Sequence, residues 1–165
     1  MSLEKNKAIV RKAIEAINKQ DLSLLDDLVA PNYFDHIAKQ GQELIRQFIV
    51  MLYKGFPDYH ATIEDIIAEG DKVWARVTYT GTHTGEYLGF PPSGKKISYN
   101  SVTIKRVVDG KMVEGWTVND MLDFFKQIGM IEPTEKGKKL FPEGWCFMSL
   151  EENKAVVRKV IEAIN

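Results

Sequence analysis

Residues 96–118 read KISYNSVTIKRVVDGKMVEGWTV. Two runs rich in Val, Ile, Thr and Tyr, 96–107 and 112–118, flank Asp109-Gly110. That dipeptide between such runs is a strong signal for a tight hairpin. The stretch therefore predicts two antiparallel strands. The period of two continues upstream through 59–67 and 72–83, with Glu69-Gly70-Asp71 as a weaker turn between them. Residues 85–94, GEYLGFPPSG, carry too much Gly and Pro for a strand and read as a loop.

Before Pro57 the periodicity is helical. Val10, Ala13, Ile14 and Ile17 form a one-face stripe in a helix over 3–18. A short helix over 22–29 starts at Asp21 and stops before Pro31; a third, over 41–53, turns Leu44, Ile45, Phe48, Ile49 and Leu52 inward. A closing helix over 121–128 places Met121, Phe124, Phe125 and Ile128 on one side and ends at Gly129. Helices, then antiparallel strands, then a helix make an α+β fold. A curved sheet wrapped over N-terminal helices encloses an internal pocket, the default place for a ligand.

The ends of the chain echo each other. MSLEKNKAIVRKAIEAIN at 1–18 recurs as MSLEENKAVVRKVIEAIN at 148–165, with 15 of 18 positions identical. The expected organisation is a domain over 1–147 followed by the opening of a truncated second copy over 148–165; a local repeat without consequence is the alternative.

Composition excludes several classes. The chain has 165 residues, enough for one domain with one core. Its 22 basic and 23 acidic residues leave a net charge of −1, so nothing favours nucleic acid or an anionic membrane as partner. No apolar run is long enough to span a bilayer, and the first residues lack a signal-peptide core. The single cysteine, Cys146, makes no internal disulfide, and a cytoplasmic location is the default expectation. His36, His60 and His83 are scattered without metal-ligand spacing, and no phosphate-binding glycine pattern occurs, so neither metal nor cofactor is expected.

The segments Gly81-Thr82-His83-Thr84-Gly85 and Leu88-Gly89-Phe90-Pro91-Pro92-Ser93-Gly94-Lys95-Lys96 resemble the SnoaL-like polyketide cyclases. Arg106, Asp109-Gly110-Lys111, Glu114, Trp116, Asp120 and Gln127-Ile128-Gly129 extend the resemblance, which covers about residues 4–145. It implies the cone-shaped NTF2-like fold and cofactor-independent aldol ring closure in a polyketide ester. The partner it implies is a small hydrophobic carbonyl compound. The alternative is a non-catalytic NTF2-like module that binds a small molecule or dimerises, and a homodimer formed through the open sheet face is a further expectation.

Aldol closure needs a base beside a carbonyl, donors for the developing oxyanion and an acid for the accepting carbonyl. Asp120 matches the family's acid/base aspartate, and it also stands where a helix N-cap belongs. The histidine that assists the aspartate in the cyclases corresponds to Gly115 here. His36 and Asp35 are the other catalytic candidates. His83, Trp116, Tyr33, Arg76, Tyr53 and Tyr99 are candidates for binding substrate, the aromatic ones by stacking on a flat ring system.

Overall fold

The computed structural model describes residues 2–132, 134 and 135. The expected domain boundary at 147, Cys146 and the repeat at 148–165 lie outside the described residues. Residues 1–130 form one compact unit.

Helix α1 (Leu3–Asn18) begins at Ser2, whose hydroxyl accepts from the Lys5 amide at 3.3 Å. Its stripe buries Val10, Ala13 and Ile14, as the spacing required. The Asn18 side chain pins the far end to the sheet: it donates to the Ala61 carbonyl at 2.9 Å and accepts from the Ala61 amide at 2.7 Å. After α2 (Leu22–Leu28) come β1 (Val29–Asp35) and the two-residue β2 (Gln40–Gly41). Helix α3 (Gln42–Gly55) follows, and then β3 (His60–Glu69), β4 (Lys72–Thr82), β5 (Lys96–Val108) and β6 (Lys111–Asn119). Helix α4 (Met121–Ile128) closes the unit, and Gly129 ends it in the left-handed conformation.

The six strands make one curved, unclosed sheet in the order β2-β1-β6-β5-β4-β3. The strands expected from the period of two pair antiparallel, β3 with β4, β4 with β5 and β5 with β6. The β5–β6 turn uses Asp109 and Gly110 at φ 48° and 82°, as a hairpin of this hand demands.

Strand β1 was not foreseen. Seven residues containing Pro31 offer no period to read, yet they add to the sheet beside β6 and parallel to it, with Asp35 opposite Gly115. The sheet is therefore mixed where pure antiparallel pairing was expected. That one addition brings Tyr33 and Asp35 to the concave face beside β6.

Candidate active site

The sheet's concave face and the helices enclose a cavity of about 440 Å³. Its wall is largely apolar, with Ile14, Ile49, Leu52 and Met112 among the lining residues. Tyr59, Tyr79 and Tyr99 also line it, stacked in sequence with ring centroids 5.3 and 5.2 Å apart. The hydroxyls of Tyr59 and Tyr99 share a 2.5 Å hydrogen bond. Asp26 and Arg46, paired at 3.3 Å, line it from α2 and α3.

A compact polar cluster stands against this wall. Lys105 on β5 donates from Nζ to the Tyr33 hydroxyl at 2.7 Å and to Thr117 Oγ1 at 3.0 Å. Its nitrogen lies 3.6 Å from Asp35 Oδ2. The Tyr33 hydroxyl donates to the same Oδ2 at a long 3.4 Å, while Asp35 Oδ1 accepts from the amides of Ile37 and Ala38, both at 3.0 Å. Thr103 and Thr117 share a hydroxyl hydrogen bond of 3.0 Å. All five side chains line the cavity.

Gly115 makes the cluster possible. It is the register partner of Lys105 on one side and of Asp35 on the other. A Cβ there would collide with the Tyr33 hydroxyl and come within 2.7 Å of Lys105 Nζ. The lysine leans across the bare glycine to reach the acid.

Burial sets the protonation of this group. Desolvation pushes Lys105 down to about 8, although Asp35 pulls the other way. Burial would raise Asp35, but the Ala38 amide, the Lys105 charge, the Thr117 hydroxyl and the Ile37 amide outweigh it and hold the carboxyl below its usual range. Burial, together with the neighbouring Asp35 charge, raises Tyr33, so its hydroxyl keeps its proton. The site thus holds an ionised acid, a protonated phenol and an amine close to its titration point.

Of the residues singled out in the sequence, the structure brings Asp35, Tyr33 and Tyr99 to the cavity. Asp120 is exposed at the N-cap of α4, where Oδ1 accepts from the Asp123 amide at 3.0 Å. Trp116 faces the opposite side of the sheet from Thr117 and stacks on His36, with centroids 4.7 Å apart and rings 10° from parallel. His36 Nε2 lies 4.0 Å from Glu114. Arg76 is paired with Asp65 at 2.7 Å on the exposed side of β4. Tyr53 spends its hydroxyl on the Ile17 carbonyl at 2.9 Å, with burial pushing its pKa up to about 12. His83 is buried beside Phe56, its Nδ1 3.0 Å from the Ser93 hydroxyl, and desolvation lowers its pKa. Neither Tyr53 nor His83 lines the cavity. Among the described residues no group of three His, Cys, Asp or Glu side chains is placed to hold a metal ion.

Lys105, Thr103 and Thr117 escaped the sequence reading. The signal for the lysine was its parity: Ile97, Tyr99, Ser101 and Thr103 are all buried on β5, and Lys105 continues their alternation.

A mixed, unclosed sheet folded over helices, with a polar cluster set in a largely apolar cavity, defines an architecture suited to holding a small molecule. The chain belongs to the SnoaL-like polyketide cyclase family, whose model matches residues 7–128. It is similar to the aklanonic acid methyl ester cyclase DauD of a Streptomyces species (strain C5), with 28% identity over 145 residues, covering 83% of this chain and 85% of that one. Two solved structures share its fold. AclR of Streptomyces galilaeus, a candidate hydroxylase, has 31% identity and a TM-score of 0.74 over 79% of this chain and all of that one. IdmH of Streptomyces antibioticus, a candidate polyketide cyclase, has 30% identity and a TM-score of 0.67 over 75% and 98%. Among the described residues no helix is long and apolar enough to cross a membrane.

Proposed function

We propose that this chain closes a ring in a polyketide ester by intramolecular aldol addition. The observation that carries the reading is the cavity's division of labour. An apolar wall of helix and sheet side chains receives the carbon skeleton, and the cluster of Asp35, Tyr33, Lys105 and Thr117 meets its carbonyl groups. The tyrosines at 59, 79 and 99 offer stacking surface to a flat ring system. Asp35, held ionised, takes the proton from the carbon next to one carbonyl, and Tyr33, held protonated, donates to a carbonyl oxygen. The new carbon–carbon bond forms as that carbon adds to the second carbonyl, whose oxygen collects the proton.

The test is incubation with aklanonic acid methyl ester, followed by chromatography and mass spectrometry. Aldol addition conserves mass, so the expected product is an isomer with a new retention time. A product heavier by one oxygen atom points to hydroxylase chemistry instead. No conversion, where DauD converts the same compound, overturns the proposal. Asp35→Asn, folded by circular dichroism, should lose turnover.

The same reading includes a homodimer. Val102 and Val118, at least half exposed on the sheet's outer side beside Trp74 and Trp116, give a second copy an apolar surface to cover. Light scattering after size-exclusion chromatography should return twice the chain mass, and a monomer at all concentrations would refute it.

A further inference from the structure

We propose that Lys105 is a nucleophilic amine that captures carbonyl ligands in the cavity as an imine. This deepens the proposed aldol function and rests on its carbonyl substrate class.

The geometry supports a covalent role. Lys105 Nζ lies at the cavity wall, and its side chain is only 17% exposed. Its neighbours are the hydroxyls of Tyr33 and Thr117 and the carboxylate of Asp35. The other charged groups lining the cavity, Asp26 and Arg46, are paired with each other. The charge arrangement separates two ways of activating a carbonyl. A neutral carbonyl compound must give its C–H proton to the Asp35 carboxylate with no cation attached to it. An iminium keeps the positive charge where the ammonium now sits, 3.6 Å from that carboxylate. Desolvation also leaves on the order of a hundredfold more neutral amine at neutral pH than an ordinary lysine has.

The step balances without any added reagent. The neutral amine's lone pair forms the C–N bond, and the carbonyl π pair moves to oxygen. The nitrogen gives up a proton and the oxygen gains one, with the Tyr33 hydroxyl 2.7 Å from the nitrogen as the relay. Protonation and loss of the hydroxyl as water leave an iminium. Loss of the neighbouring C–H proton to Asp35 makes a neutral enamine, whose carbon attacks the second carbonyl. Water then hydrolyses the resulting iminium and restores Lys105.

The experiment uses the full chain and 2,4-pentanedione, a 1,3-diketone that condenses with a neutral lysine and tautomerises to a stable enaminone. The expected result is one adduct per chain, with the mass of the diketone less one water, a new near-ultraviolet band, and peptide mapping to Lys105. Labelling there should outpace that of any other lysine by at least about tenfold, in line with its larger neutral fraction. Adducts spread over exposed lysines, or absent from Lys105, overturn the proposal; this readout needs no variant to fold. A folded Lys105→Met that still gives the same adduct also overturns it. Labelling requires no turnover, so specific labelling without cyclisation of the polyketide ester would refute the proposed function and leave this inference standing. Cyclisation without labelling would do the reverse.

Discussion

The ammonium of Lys105 lies over the bare α-carbon of Gly115, its register partner on the adjacent strand. By the resemblance, Gly115 corresponds to a histidine of the cyclases. Here the space is taken by a lysine arriving from the side, and the Tyr33 hydroxyl shares it. The cavity's titratable base here is an amine that burial brings to about 8 and that Asp35 balances at 3.6 Å.

Gly115→Ala tests this relationship most directly. A methyl group would overlap the Tyr33 hydroxyl and crowd Lys105 Nζ and Asp35 Oδ2, whose mutual hydrogen bonds and ion pair hold them in place. Overpacking of this kind costs about 1–3 kcal/mol. Urea denaturation should show that loss, and diketone labelling of Lys105 should slow severalfold. Unchanged stability with unchanged labelling would mean that the cluster does not depend on the glycine.

Asp35 and Lys105 should be strongly coupled. Removing one member of a buried ion pair leaves the other uncompensated, at a cost of about 3–5 kcal/mol. Asp35→Asn should approach that figure, moderated by the ability of Lys105 to shed its proton. Lys105→Met should cost less, because the amides of Ile37 and Ala38 continue to hold Asp35. The double variant should be more stable than the sum of the two losses implies, by about 1–3 kcal/mol in a denaturation cycle. Simple additivity would show that the pair is not interacting.

Much of the architecture was legible because periodicity records burial. The stripe Val10, Ala13, Ile14 and the hairpin at Asp109-Gly110 each announce their partners locally. The site was less legible because it depends on which strand lies beside which. Strand β1 pairs with β6 across some eighty residues of chain, so nothing near Asp35 foretold that it would meet Lys105. Nothing local said that Gly115, Thr117 and Asn119 took the cavity side of β6 and left Trp116 outside. Lys105 was hidden for another reason: a charge at an inward position reads as an interruption of the pattern until its counter-charge is known.

Asp120 is expected to matter to its helix more than to turnover. Its carboxylate caps α4 from an exposed position outside the cavity lining. Asparagine caps as well as aspartate, so Asp120→Asn should change stability by only a few tenths of a kcal/mol and leave cyclisation intact. Asp120→Ala should cost about 1 kcal/mol, visible as a lower melting temperature. Loss of turnover in a fully folded Asp120→Asn would return the proton transfer to this residue.

The pH dependence of stability carries the signature of Lys105. Its pKa falls on folding from 10.5 to about 8, so the unfolded chain binds more protons between those values. Unfolding free energy should therefore be insensitive to this group below about pH 8 and rise with pH above it, by on the order of 3 kcal/mol if the whole window were traversed. The buried tyrosines act in the opposite sense. Tyr33, Tyr59 and Tyr99 are all raised by burial, so their contribution is full below the ordinary phenol value near 10 and is lost as pH climbs beyond it. The two effects together predict a stability maximum near pH 10, on the alkaline side of where most proteins have theirs. Urea midpoints measured in half-unit steps from pH 7 to 10 should climb for the wild type and flatten for Lys105→Met. A wild-type profile flat from pH 8 to 10 would mean that Lys105 keeps an ordinary pKa, and that the cavity does not desolvate its amine.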